Sequence, residues 1–149
     1  MAKVTILRGI PGSGKSTWAK QNRKFVPVCS ADDFWYGDPE NPHEYRFDFR
    51  KLGEAHGACL RKFVHLTSLG SDVVVDNTNT TAVEMAPYIA WGLAQGYEVE
   101  IIRIDCPTHV AAQRNIHGVP LDSVHRMKLA LDHTALPPFW TKEQVITTG

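Results

Sequence analysis

A surplus of charge of either sign is missing from this chain. Its 16 Lys and Arg are cancelled by 16 Asp and Glu, leaving a formal net charge of +0 and a pI near 7.1. No global positive field exists to recruit a polyanion, so any nucleic-acid partner has to be gripped by a local patch. Long hydrophobic runs are missing too. Nothing approaches the roughly eighteen apolar residues that a membrane span requires, so no membrane partner is expected. Cysteine is sparse: Cys29, Cys59 and Cys106 have no C-x-x-C spacing. That pattern points to reduced thiols, a cytoplasmic location and, for Cys29 and Cys106, core packing. The 7 histidines are scattered, without the neighbours that make a transition-metal site. There is no internal repeat and no low-complexity linker, and the N-terminal stretch reads as strand and glycine loop rather than signal peptide. With 149 residues, 43% apolar and 21% charged, one domain over 1–149 with an ordinary core is expected.

What is present is concentrated near the start. Gly9-Ile-Pro-Gly-Ser-Gly-Lys-Ser-Thr17 fits the phosphate-loop template G-x-x-x-x-G-K-[ST] at Gly9, Gly14, Lys15 and Ser16. Gly9, Gly12 and Gly14 let the backbone bend so that successive amides point at phosphate oxygens. Lys15 supplies a charge to the β- and γ-phosphates, Ser16 offers its hydroxyl to Mg²⁺, and the helix that starts here adds its positive end. The apolar, β-branched run Lys3–Arg8 before the loop has strand length, and a helical pattern follows from Lys15 to about Lys24. A nucleoside triphosphate is therefore expected on Gly9, Pro11, Gly12, Ser13, Gly14, Lys15, Ser16 and Thr17.

The rest of the chain alternates. A short strand is expected over Phe25–Cys29, then a polar loop at Asp38–His43, then a long amphipathic helix from Phe49 to Thr67 ending near Gly70. Asp72–Asp76 reads as a strand buried on both faces. Thr80 or Thr81 is placed to cap a helix to about Gln95, stopped by Gly96. A strand over Tyr97–Asp105 and helices over Thr108–Asn115 and Leu121–Ala135 follow, with a last short strand at Val145-Ile146. Alternation of this kind predicts a three-layer α/β fold with a parallel sheet of four to five strands, its ligand crevice at the carboxyl ends of the strands.

Candidate chemistry falls at those ends. Asp32 and Asp33 follow the second strand, where a carboxylate can accept the proton of an attacking hydroxyl; the same place also suits a helix N-cap. Asp32, nearer the strand end, is the candidate base, and Asp33 a candidate substrate contact. Asp76 ends the third strand, where an acid holds Mg²⁺ directly or through water. Thr78 and Asn79 offer groups to a substrate or to a capped turn. Arg114 opens a Gly118-Val-Pro120 turn with the geometry of a lid over about 114–120, where a guanidinium can close on the transferring phosphoryl group or merely complement a helix end. His117 can add a second donor there. Trp35 and Tyr36 border the acidic pair and suit either stacking on a base or core packing, whereas Trp18, Trp91 and Trp140 read as core or half-buried.

Taken together, these segments resemble the kinase domain of the phage polynucleotide kinase–phosphatase family. The likeness lies in Gly9–Ala19, the Asp32-Asp33 pair, the Asp76–Asn79 segment and Arg114-Asn115…Gly118-x-Pro120. Asp32-Asp33-Phe34, Glu54-Ala-His56, Asp76–Asn79 and Asn115–Pro120 also resemble P-loop kinase-like domains of the Nedd4-binding-protein-2 type. The resemblance implies a P-loop NTPase fold with a helical lid. It further implies ATP and Mg²⁺ held by Lys15 and Ser16, Arg114 on the donor phosphates, and Asp32 as base for the 5′-hydroxyl end of DNA or RNA. Two positions depart from it. Trp35 stands where the phage kinase carries an arginine for the acceptor's phosphate, and the shorter lid carries His117 in place of a second arginine. Both departures remove positive charge from the acceptor side, so a small nucleoside-type acceptor, or a non-catalytic ATP-binding module, remains open beside the end-kinase expectation.

Overall fold

Strand formation is dictated by β-branched runs, and the longest sit side by side in the sheet. The computed structural model describes residues 2–115 and 117–149; Ile116, inside the expected lid, lies outside them. The elements in order are β1 (Lys3–Arg8), α1 (Lys15–Asn22), β2 (Val28–Cys29), a 3-10 segment (Ala31–Tyr36), a second one (Phe49–Lys51), α2 (Leu52–Ser68), β3 (Val73–Asp76), α3 (Ala82–Ala94), β4 (Glu98–Asp105), α4 (Thr108–Arg114), α5 (Leu121–His133) and β5 (Gln144–Thr147). The five strands are ordered β2-β3-β1-β4-β5, and every pairing is parallel. This is the three-layer α/β fold of P-loop NTPases.

Alternation along β1 explains the two covered faces. Val4 and Ile6 point to one side and pack with Val73, Val75, Val99 and Ile101 under α2 and α3, where Phe63, Met85 and Tyr88 complete the layer. Leu7 points to the other side and meets Val74, Ile102 and Ile104 beneath Ala19 of α1. A third cluster (Ile10, Cys106, Ala111, Val124 and Leu131) joins the phosphate loop to α4 and α5. Burying a side chain such as Phe63 or Met85 contributes about 1.5–3 kcal/mol against leaving it in water. Cys29 and Cys59 are buried core thiols; burial, reinforced by Cys59, pushes Cys29 up to about 12. No helix among the described residues is long and apolar enough to cross a membrane.

Several boundaries move from the sequence reading. The second strand shrinks from Phe25–Cys29 to Val28–Cys29, because Phe25 sits at φ 64, fully exposed, and Pro27 has no amide to give a ladder. The first helix stops at Asn22, where Arg23 leaves helical geometry at φ −132. Phe49–Lys51 winds as a separate 3-10 turn before α2. Thr81, rather than Thr80, is the N-cap of α3, and its amide donates to Glu84 Oε2 at 2.9 Å.

Candidate active site

β1 ends at the centre of the sheet between β3 and β4, so the loop that follows it opens onto the crevice between neighbouring strand ends. Gly12 and Gly14 bend this loop, at φ 83 and 104. A side chain at Gly12 would also meet the Ala111 carbonyl at 2.1 Å, since α4 packs directly on the loop. Gly9 has no positive φ and is instead a close-approach residue: a Cβ there would meet the Ile104 carbonyl at 2.8 Å, and its amide donates to the Thr78 carbonyl at 3.1 Å. The first amides of α1 have no intrahelical partner and stand at its positive end.

Lys15 and Ser16 begin α1. The Lys15 ammonium donates to the loop's own carbonyls, Gly9 at 3.0 Å and Ile10 at 3.2 Å. Burial pushes Lys15 below the usual lysine range, against the pull of Asp76 and Asp32. The Ser16 hydroxyl donates to Asp76 Oδ2 at 2.8 Å, which places the two oxygen groups expected to hold Mg²⁺ side by side. Hydroxyl and carboxylate oxygens are the hard donors this ion takes, and they stand beside a loop built for phosphate, so the residues fit ATP with Mg²⁺.

Asp32 and Asp33 lie on the 3-10 segment after β2. Ser30 caps that segment by accepting from the Asp32 amide at 3.2 Å. Asn77, at the end of β3, fixes the same segment from below, its Oδ1 accepting from the Ala31 amide at 2.9 Å. Asp32 faces the cleft, half exposed. Asp33 is 3.9 Å from Lys62 of α2, and burial raises its carboxyl against that lysine's pull. Pro11, Lys15, Asp32, Thr78 and Arg114 all line one open cleft of about 1590 Å³ that continues along α1 to Phe25. Thr78 is half-buried on that wall, and Arg114 is exposed at the end of α4.

Two of the candidate substrate contacts are buried, which for Trp35 is the core-packing alternative. Trp35 keeps 4% of its surface exposed and packs edge-on between Phe34 and Phe47, with centroids 5.2 and 5.0 Å away. Asn79 is 2% exposed, sits at φ 47, and donates from Nδ2 to the Leu7 carbonyl at 2.8 Å. Its amide therefore closes the gap between β1 and the turn after β3, and no acceptor can reach it.

Other residues of the site were not singled out from the sequence. Arg8 is 1% exposed; it donates to the Asn79 and Thr80 carbonyls at 2.8 and 3.0 Å and pairs with Glu143. Thr148 donates to the Ser13 carbonyl at 2.6 Å, bracing the phosphate loop from the far edge. Tyr45, just past the Asp38–His43 loop, stacks on His117 and reaches toward Asp32. An arginine at a strand end and a threonine near a chain end carry no signal in the sequence. A tyrosine nine residues beyond a 3-10 segment carries none either.

Comparison with known proteins places the family and the fold. Residues 4–117 match the family described as AAA domain. The chain is 35% identical over 133 residues to human NEDD4-binding protein 2, covering 83% of this chain and 7% of that protein. It therefore spans only a small fraction of that relative's length. Among solved structures, a chain of the Pnkp1/Rnl/Hen1 RNA repair complex superposes with a TM-score of 0.69 at 19% identity, over 89% of this chain and 44% of that one. The Mycobacterium tuberculosis APS kinase CysC, solved with AMPPNP and APS, gives 0.56 at 19% identity over 98% and 88%. At such identities these two likenesses establish the fold alone, the three-layer α/β arrangement described above.

Proposed function

Because this chain belongs to the AAA-domain family of P-loop proteins, we propose that it is an ATP-dependent kinase acting on the 5′-hydroxyl end of a polynucleotide. The observation that carries this reading is the placement of Asp32 in one cleft with Lys15, Thr78 and Arg114, beside the Ser16–Asp76 pair. The loop amides and Lys15 bind the donor phosphates, and Ser16 with Asp76 would hold Mg²⁺, which would supply positive charge to the transferring phosphates. Asp32 takes the proton of the acceptor hydroxyl as its oxygen bonds to the γ-phosphorus and the bond to the β-phosphate oxygen breaks, releasing ADP. Arg114, on the lid turn, stabilises the charge of the transferring group. Asp33 borders the acceptor side.

A small hydroxylated acceptor, such as a nucleoside, is the second reading, and one observation favours it. Arginines of the loop beside Asp32 are tied up locally: Arg46 with Asp38 at 3.2 Å and Glu44 at 2.9 Å, Arg50 with Asp48 at 3.0 Å. The salt dependence of acceptor binding separates the two. A single-stranded acceptor should lose affinity with a log–log slope near 0.7 for each phosphate contacted, whereas a nucleoside should show almost none. A flat profile for an oligonucleotide that is nevertheless phosphorylated would assign recognition to its terminal nucleoside alone.

A further inference from the structure

Asp32 is a half-exposed carboxylate, with 51% of its side chain accessible, so packing does not fix its rotamer. Its neighbours supply what packing does not. The turn after α4 is braced from inside by Asn115, whose Nδ2 donates to the Val119 carbonyl at 2.9 Å and whose Oδ1 accepts from the His117 amide at 3.2 Å. This brace delivers the His117 ring to three side chains far away in sequence. Nε2 lies 3.1 Å from the Tyr36 hydroxyl. The ring stacks flat on Tyr45, with centroids 4.2 Å apart and 2° between the planes. Nδ1 lies 3.6 Å from Asp32 Oδ2. Tyr36 and Tyr45 meet edge to face at 5.4 Å, and the Tyr45 hydroxyl stands 3.5 Å from Asp32 Oδ1.

The two nitrogens of a neutral imidazole have opposite roles, and the partner of one decides the role of the other. A phenol donating to Nε2 selects the tautomer with its proton on Nδ1, and Nδ1 is the atom that faces Asp32. At 3.6 and 3.5 Å the two contacts to the carboxylate are longer than hydrogen bonds. Catalytic contacts commonly stand at such lengths before substrate draws them in. Resting on the kinase reading above, we infer that His117 is a positioning residue for phosphoryl transfer: oriented by Tyr36 and Tyr45, it holds the Asp32 carboxylate toward the acceptor hydroxyl. The lid turn and the base then act as one unit. The acceptor's proton ends on Asp32, and His117 keeps its own.

The test is steady-state transfer of labelled γ-phosphate from ATP with Mg²⁺ to 5′-hydroxyl DNA and RNA oligonucleotides and to adenosine. It compares the unmutated chain with Asp32→Asn, His117→Asn, His117→Gln, His117→Phe and Tyr36→Phe. His117→Phe keeps a ring on Tyr45 and removes Nδ1, so kcat should fall by about 10²-fold, the scale of a misplaced catalytic group, with acceptor KM little changed. His117→Asn, whose amide nitrogen can stand where Nδ1 stands, should recover most of that loss. His117→Gln, which reaches the Nε2 position, should not, and Tyr36→Phe should lose a smaller part of kcat. Unchanged kcat in His117→Phe beside an inactive Asp32→Asn would overturn the inference and leave the kinase reading standing. So would an equal loss in His117→Asn and His117→Phe, or a loss confined to KM. No transfer by the unmutated chain would remove the kinase reading and this inference with it; full transfer by Asp32→Asn would leave a kinase but remove Asp32 as its base, and this inference with it. Circular dichroism and ATP affinity, unchanged in each His117 variant, exclude misfolding as the cause.

Discussion

Arg8 shows how much of this site depends on single residues that look ordinary in the sequence. It is a buried guanidinium whose donors bind the Asn79 and Thr80 carbonyls and Glu143. Removing it strands a carboxylate and two carbonyls, and breaking a buried pair in this way costs about 3–5 kcal/mol. Arg8→Ala should lower the unfolding free energy measured by urea denaturation by that much; a change under about 0.5 kcal/mol, the scale of an ordinary surface substitution, would show that the pair is incidental. Gly12 is the second such position. Gly12→Ala places a methyl carbon 2.1 Å from the Ala111 carbonyl at φ 83. It should therefore abolish ATP binding while the far side of the sheet, with α2 and α3, keeps its ellipticity. That Lys15, Ser16 and Asp76 meet at one place was legible because the loop is contiguous and Asp76 closes a strand. For Trp35 the sequence left base stacking and core packing both open, and the hydrogen bond of Asn79 to Leu7 was not visible at all, because a residue's burial depends on segments that meet it only after folding. His117 was visible as a donor in a turn, but its stacking on Tyr45 and its approach to Asp32 required three separate segments to converge.

At the level of elements, the long β-branched runs were read correctly as β1, β3 and β4; period 3.6 located α2, while a threonine cap with Gly96 bounded α3 and the Gly118–Pro120 turn preceded α5. The errors cluster where a local feature overrides the pattern, as with Phe25 in the left-handed region and Pro27 beside it. The attachment of α5 to the sheet is an electrostatic example. Asp105 at the end of β4 is paired with Lys128 of α5 and lies 3.2 Å from Arg103, which itself pairs with Asp132. The Lys128 hydrogen bond, and then Arg103, hold the Asp105 carboxyl below the ordinary carboxylate range. A depressed carboxyl stabilises the fold fully above its unfolded value, near 4, and that contribution disappears as pH falls through the lower folded value. Lys128→Met should therefore destabilise the protein at pH 7, with the difference from the parent shrinking below about pH 4. A difference that stays constant from pH 7 to pH 2 would assign the effect to packing.

On the scale of the whole molecule, strand order β2-β3-β1-β4-β5 brings loops from three strand ends to one crevice, and β5 returns the end of the chain to the phosphate loop through Thr148. Alternating strands and helices in the sequence implied the parallel sheet; the order of strands follows from crossover geometry, which no single segment encodes. A ligand that bridges the loop, α1 and β3 should stabilise all three. ATP with Mg²⁺ at a hundred times its Kd adds about 2.7 kcal/mol, which should raise Tm by several degrees, and Lys15→Met should remove most of that shift. The most direct measurement is transfer of labelled γ-phosphate from ATP to a 5′-hydroxyl oligonucleotide, with ATP affinity measured alongside, for the unmutated chain and for Asp32→Asn. Transfer that falls about 10²–10⁴-fold in the variant, the usual weight of a general base, at unchanged ATP affinity is the predicted result. Free phosphate as the sole labelled product, released equally by both proteins, would contradict it and leave a nucleotide-binding module.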